Sequence, residues 1–132
     1  MTTYMFDTNI ISYLIRGSSL DLKNRFESEN PDGFAISVVV YAEILYGLKK
    51  TNGSRIAAKI NAFLANIRVV DFNAGAANAY AVIRAGLEKS GTPVDNMDLL
   101  IAASAMAEGA ILVSHNTGHF SKIKNLRVED WF

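Results

Sequence analysis

The sequence of 132 residues contains no cysteine, only two prolines and no excess of either charge. The lack of cysteine excludes disulfide bonds, a thiol nucleophile and metal sites built on thiolates, and it is consistent with the cytoplasm, where we expect the protein. Thirteen basic residues balance thirteen acidic ones, unlike the strongly basic composition typical of nucleic-acid-binding proteins. The longest apolar run, residues 99–107, is too short to cross a bilayer. We expect no membrane association, and no signal peptide, because the N-terminal segment lacks a basic start.

Hydrophobic residues, by contrast, make up half of the sequence. This is enough to fill one hydrophobic core without cross-links. The length is typical of one domain, and no repeat, low-complexity tract or linker divides the chain. A single domain over residues 1–132 is therefore predicted.

Short apolar runs alternate with helical patterns along the chain. Strands are predicted at residues 4–7, 34–37, 67–71 and 110–114, with a short edge strand at 126–128. Helices are predicted at residues 10–16, 20–29, 38–50, 55–66, 74–90 and 97–108. The expected N-caps are Ser37, Ser54 and either Asp95 or Asn96. Asn52-Gly53 is expected to break the helix that ends at residue 50. The alternation, with strands that are apolar throughout, indicates an α/β fold of three layers, α/β/α, around a mostly parallel sheet of four or five strands.

Three acidic residues lie in sequence that is otherwise apolar. Asp7 ends the first strand, Glu43 lies within the helix after the second strand, and Asp98 lies near the start of the helix before the fourth strand. A buried carboxylate is costly unless a cation meets it. None of the three motifs contains lysine or arginine, so a metal ion is the favoured cation.

Each acid also has an ordinary structural interpretation. Asp7 can cap the helix that follows it, and Asp98 can occupy the third position of a capping box that begins at Asp95. Glu43 can lie at the edge of its helix and face solvent. These alternatives remain open for each residue taken alone.

Together, the three acids predict a hydrolytic metal site. Ligands bind at the carboxyl ends of parallel strands, where Asp7 is expected to lie. Carboxylate oxygens suit Mg²⁺ or Mn²⁺. Two such ions about 3.5–4 Å apart can activate water and stabilise a leaving oxygen, which hydrolyses a phosphodiester without a protein nucleophile.

A polar cluster follows the fourth strand. Ser114, Asn116 and Thr117 can orient a metal-bound water or hold an acid in place, although a plain polar loop is an equal alternative. His115 and His119 have the spacing of a helical zinc site, but we expect them in a loop, and they lack the glutamate of that motif. A zinc site is therefore rejected.

Residues 44–70 contain five basic residues and no acid. They are Lys49, Lys50, Arg55, Lys59 and Arg68. One interpretation is a solvated helix face. The other is a basic lobe beside an acidic centre, which would attract phosphates locally despite the zero net charge.

A phosphotransfer domain with Asp7 as the nucleophile is disfavoured. A haloacid-dehalogenase-type site would have an acid at residue 9, where this chain has Asn9. A receiver-type site would have a lysine after a late strand, and this chain has Ser114-His115.

Four motifs, in order and spacing, resemble the PIN domain family and within it the VapC-type toxins of VapBC toxin–antitoxin systems. The motifs are DTN at 7–9, YAEILYG at 41–47, GTP at 91–93 leading to DLLIAA at 98–103, and VSHNT at 113–117 followed by Phe120. The segment 126–131 is also similar. The resemblance covers almost the whole chain.

The resemblance implies an endoribonuclease that depends on Mg²⁺ or Mn²⁺ and cleaves RNA, in several members tRNA. Asp7, Glu43 and Asp98 match the family's acidic triad, and Asn116 stands where many PIN domains have a fourth acid. Thr8, Asn9, Ser114 and Thr117 are expected to position these catalytic groups. The alternative is a catalytically weak PIN-fold module that binds RNA, which Asn116 favours.

The resemblance also implies protein partners. Family members form homodimers and assemble with a VapB-type antitoxin, which places a basic side chain in the acidic cleft, and contact with DNA is expected only through the antitoxin. The helices at residues 10–15 and 54–63 are candidate surfaces for the dimer or the antitoxin, although they can equally be ordinary core faces.

Overall fold

A parallel sheet forms the centre of the molecule. The computed structural model describes residues 1–51 and 55–132, and within them the sheet has five strands in the order β3-β2-β1-β4-β5. The strands are β1 (Tyr4–Phe6), β2 (Phe34–Ser37), β3 (Arg68–Val70), β4 (Ile111–Val113) and β5 (Val128–Glu129). Every pairing is parallel, so the carboxyl ends of all strands meet at one edge. The predicted α/β class and parallel sheet are confirmed.

Helices flank this sheet and connect its strands. In the described ranges they are α1 (Thr8–Arg16), α2 (Leu20–Ser28), α3 (Val38–Lys50), α4 (Arg55–Ala65), α5 (Ala74–Lys89), α6 (Asn96–Ala107) and α7 (Thr117–Phe120), with a 3₁₀ turn at Pro31–Gly33. Within the same ranges, none of these helices combines the length and apolar character needed to cross a membrane.

Several predicted caps are present. The Ser37 side chain accepts a hydrogen bond from the Val40 amide at 3.1 Å and begins α3. Asp95, rather than Asn96, caps α6 by accepting from the Met97 amide at 3.1 Å. Gly17 ends α1 in the left-handed region, at φ +68°. The predicted roles of Asn52, Gly53 and Ser54 fall outside the described residues.

After the fourth strand, the prediction of a loop was wrong, and the predicted edge strand is present but displaced. The segment expected to be a loop contains the short helix α7, because the buried Phe120 anchors it to the core. The edge strand begins at Val128 rather than at residue 126. Asn125 has φ +69°, and the Leu126 amide closes a turn onto the Ile123 carbonyl at 3.4 Å, so the chain becomes extended only later.

The core is built around the central strand. Phe6 of β1 packs edge-on against Phe34 and Trp131, with ring centroids 5.0 and 5.5 Å apart. Helix α6 buries six of its twelve residues. The end of β1 is therefore held by packing from several elements, and the residue that follows it has a fixed position.

Candidate metal-binding active site

Asp7 directly follows the central strand and is only 5% exposed. Its Oδ1 accepts a hydrogen bond from the Ile10 amide at 2.8 Å, so it caps α1. Its Oδ2 accepts a hydrogen bond from Ser114 Oγ at 2.5 Å. The capping role is therefore real but not exclusive, because the second oxygen joins Asp7 to the end of the neighbouring strand β4.

Burial raises the pKa of the Asp7 carboxyl above its usual value. The hydrogen bonds from Ser114 and from the Ile10 amide act in the opposite direction, whereas the negative charges of Asp98 and Glu43 raise the pKa further. These two charges act on Asp7 although they are distant in sequence. The ionised form of Asp7 is therefore disfavoured first by burial and then by the two other predicted acids.

Glu43 is held over the start of α1. It is half-buried on α3, and its Oε1 accepts a hydrogen bond from Thr8 Oγ1 at 2.5 Å. Since Ser37 begins α3 directly at the end of β2, the helix presents Glu43 near the same sheet edge as Asp7. A surface-facing Glu43, the structural alternative, does not agree with this contact.

Asp98 lies in the first turn of α6, as the capping interpretation predicted. Its amide is 3.4 Å from Asp95 Oδ2. Its own side chain is only 22% exposed and has Oδ2 at 3.1 Å from His119 Nδ1. The Asp98 carboxylate therefore contacts a side chain of α7, which is distant in sequence.

The three acids line one cleft. Its lining residues are Asp7, Thr8, Asn9, Glu43, Asp98, Ile101 and Asn116. Of the other predicted site residues, Ser114 lies fully buried beneath the cleft. Its hydroxyl donates a hydrogen bond to Asp7 and accepts one from the Asn116 amide at 2.9 Å. Thr117 is exposed at the start of α7 and is not among the residues that line the cleft.

The chemistry of this cleft fits a hard divalent cation. Its donors are carboxylate, hydroxyl and amide oxygens, which Mg²⁺ and Mn²⁺ prefer. A cation would also offset the repulsion between the buried Asp7 and the two other acids, Glu43 and Asp98. In the described part of the chain, no three His, Cys, Asp or Glu side chains already converge closely enough to hold an ion alone. Mg²⁺ is commonly held by one or two carboxylates together with waters and a substrate phosphate.

His119 is the site neighbour that sequence reasoning missed. Its Nδ1 lies 2.9 Å from Asn116 Nδ2 and 3.1 Å from Asp98 Oδ2. The sequence signal was the spacing of Asn116 and His119, three residues apart, but it is informative only once α7 is known. His115 has different partners, Asp130 at 2.9 Å and the stacked ring of Phe132, which agrees with rejecting a zinc pair.

Comparison with known proteins places the chain in a family. The family model of the PIN domain matches residues 4–126. The chain is 37% identical, over 99% of its length and 99% of the relative's, to the tRNA(fMet)-specific endonuclease VapC of Shigella flexneri. It is 38% identical to Ribonuclease VapC2 of Rickettsia felis, over 97% of both chains.

Solved structures agree with the sequence relatives. A chain in the crystal structure of DNA-bound VapBC from Salmonella typhimurium superposes with a TM-score of 0.90 at 32% identity, over the full length of both chains. A chain of Rickettsia felis VapBC2, bound to a promoter DNA fragment, gives a TM-score of 0.88 at 36% identity, over 99% of this chain and 100% of that one. The chain therefore belongs to the PIN domain family, and within it to the VapC ribonucleases.

Proposed function

We propose that the protein is the endoribonuclease toxin of a VapBC-type pair and that Asp7, Glu43 and Asp98 hydrolyse RNA with Mg²⁺ or Mn²⁺. The observation that carries the proposal is the shared cleft of these three acids, in a chain that matches VapC ribonucleases along its whole length. Each acid is immobilised by a named partner, which is the preorganisation that catalysis requires.

Asp7, Glu43 and Asp98 are the residues that would hold the metal. When bound, such an ion lowers the pKa of a water and stabilises negative charge on the phosphate. Ser114 keeps one oxygen of Asp7 in place, and Thr8 does the same for Glu43. These hydroxyls fix the direction of the carboxylate oxygens and leave the other acceptor positions for the cleft.

Asn116 supplies an amide where many PIN domains have a fourth acid. It lines the cleft and can orient a water or a phosphate oxygen by hydrogen bonding, but it brings no charge to balance a second ion. This residue is also the observation that favours the alternative function, a PIN-fold module that binds RNA and cleaves it weakly.

The proposed protein partner is a VapB-type antitoxin, and the toxin itself is proposed to form a homodimer. Contact with DNA is proposed only through the antitoxin. A groove between α1, α3 and α4 leads to the cleft, because Thr8 and Glu43 line both. Its apolar walls are Ile11, Ile15, Ile44, Ile56 and Ile60. A basic side chain delivered along this groove would meet the same negative charge as a metal ion.

The test is RNA cleavage by protein purified free of antitoxin. Wild-type protein should cleave cellular RNA in Mg²⁺ or Mn²⁺ and lose this activity in EDTA. Asp98→Asn should be folded but inactive, and its expression should not arrest growth. Full activity of Asp98→Asn, or cleavage that persists in EDTA, would refute the proposal. Binding of RNA by wild-type protein without cleavage in either metal would favour the non-catalytic alternative.

A further inference from the structure

An exposed aromatic side chain lies on the helix that carries Glu43. Tyr46 of α3 is 65% exposed. The Nζ of Lys50 lies over this ring, 5.2 Å from its centroid. The pair is one turn apart on α3 and forms a surface that is both flat and cationic.

The Tyr46–Lys50 pair lies on the same side of α3 as Glu43. A helix turns about 100° and rises about 1.5 Å per residue. Lys50, seven residues after Glu43, is thus rotated by only about 20° from it, and Tyr46, three residues after it, by about 60°. The pair therefore extends from the acidic cleft along the helix, over a distance of about 10 Å.

Apart from Glu43, every charged residue of α3 and α4 is basic. Residues 44–70 contain no acid, and Lys49, Lys50, Arg55 and Lys59 are exposed. Across residues 1–51 and 55–132, no ion pair joins these four side chains to a carboxylate. By contrast, Arg84 beside Tyr80 on α5 is paired with Glu88 at 2.9 Å. The cations of α3 and α4 thus remain available for an anionic ligand.

We propose that Tyr46 and Lys50 form a subsite for single-stranded RNA next to the cleavage site, with a base stacked on Tyr46 and a backbone phosphate bound by Lys50. This inference rests on the proposed ribonuclease function and names where the substrate strand lies. Bases of single strands stack on exposed aromatic rings while basic side chains follow the backbone. The charge of this face is complementary to RNA, and the strand would leave the cleft without meeting another acid within residues 44–70. An acidic protein segment would use the cations but has no base to stack on the ring.

The test compares cleavage of a short single-stranded RNA by variants of the full chain. Tyr46→Ala should raise KM about tenfold, since base stacking of this kind has about that effect, and should change kcat less than twofold. Tyr46→Phe keeps the ring and should restore the wild-type KM. Lys50→Ala should reduce the slope of log kcat/KM against log salt concentration by the amount expected for about one phosphate contact. Lys89→Ala is the matched control, because Lys89 is also an exposed lysine in the last turn of a helix.

A binding measurement separates this inference from the proposed function. In the Asp98→Asn background, the same RNA labelled with a fluorophore should bind about tenfold more weakly when Tyr46→Ala is added. If the wild-type protein cleaves nothing but RNA binding depends on Tyr46, the subsite stands and the ribonuclease function fails. Unchanged KM and RNA affinity in Tyr46→Ala, or an equal loss in Lys89→Ala and Lys50→Ala, would overturn the subsite. Unchanged RNA binding with weakened antitoxin binding would also overturn it, and would assign the surface to a protein contact.

Discussion

At the scale of single residues, Asp7 combines a role in folding with a place in the proposed metal site. One oxygen caps α1 through the Ile10 amide, and the other accepts a hydrogen bond from Ser114. In the sequence alone, the capping interpretation of Asp7 competes with the metal hypothesis. In the folded protein they are compatible, because each carboxylate oxygen accepts one hydrogen bond and retains a further acceptor position.

Replacing Asp7 with Asn should stabilise the metal-free protein at neutral pH. Burial raises the pKa of Asp7 in the folded state, so the ionised form is disfavoured there relative to the unfolded chain. Folded protein therefore loses stability as pH rises through that pKa, and recovers it below the unfolded pKa. In EDTA we expect the melting temperature of Asp7→Asn to exceed the wild-type value by a few degrees at pH 7–8.

The difference should shrink as the pH is lowered and Asp7 becomes protonated, which thermal melts from about pH 3 to 8 would follow. Added Mg²⁺ or Mn²⁺ should stabilise the wild type more than the variant. A lower melting temperature for Asp7→Asn at every pH would show that the burial of the ionised carboxyl does not dominate its effect on stability.

Thr8 is predicted to act on metal binding through Glu43. Thr8→Val keeps the side-chain shape but removes the hydroxyl that donates to Glu43 at 2.5 Å. Loss of such a supporting hydrogen bond typically lowers metal affinity at least about tenfold. Isothermal titration with Mn²⁺ would measure the loss, and Thr8→Ser, which retains the hydroxyl, should bind like the wild type. Equal affinity in Thr8→Val would remove Thr8 from the site.

At the scale of elements, the position of the cleft follows from where strands end and helices begin. Ser37 ends β2 and caps α3, while Asp7 follows β1 and caps α1. These boundaries were predictable, since apolar runs ending in a capping residue carry a strong local signal. Helix α7 was not, because four residues are too few for a periodic pattern and its stability depends on burying Phe120 in the core.

Gly33 illustrates a contact between elements that the sequence could not reveal. A Cβ at this position would overlap the backbone oxygen of Thr2, just before the paired strands β1 and β2. Gly33→Ala should therefore destabilise the fold by about 1–3 kcal/mol, as overpacked sites do. Urea denaturation would measure this change.

Gly86→Ala is the matched control for Gly33→Ala. It lies in α5, where an added Cβ would meet no atom within 4 Å apart from its chain neighbours and the backbone of its own helix, so alanine should stabilise the helix by about 0.5–1 kcal/mol. A Gly33→Ala variant as stable as the wild type would mean that β1 and β2 tolerate a shift at their start.

At the scale of the whole molecule, the acids come together only through the topology. Asp7, Glu43 and Asp98 are spread over more than ninety residues, and a parallel sheet with β1 at its centre brings their elements to one edge. The sequence supported the site through motif order and family resemblance. The contacts of His119 could not be predicted, because they need the orientation of α7 relative to α6.

The zero net charge of the chain conceals an uneven distribution. The cleft combines three acids, whereas the charged side chains of residues 44–70 are all basic. A protein of this kind can concentrate a cation in the cleft and a phosphate backbone beside it. Global charge was therefore a poor guide to the class of substrate, whereas the position of each charged residue was informative.

The central claim is that Asp7 and Asp98 act as parts of one hydrolytic site, and a double-mutant cycle tests it most directly. RNA cleavage rates in Mn²⁺ would be measured for the wild type, Asp7→Asn, Asp98→Asn and the double variant. Each single change should reduce the rate by about 100-fold or more, and the double variant should be no slower than the slower single variant, because residues that act as a unit are not additive. Single variants that cleave at nearly the wild-type rate, or losses that multiply in the double variant, would contradict the account.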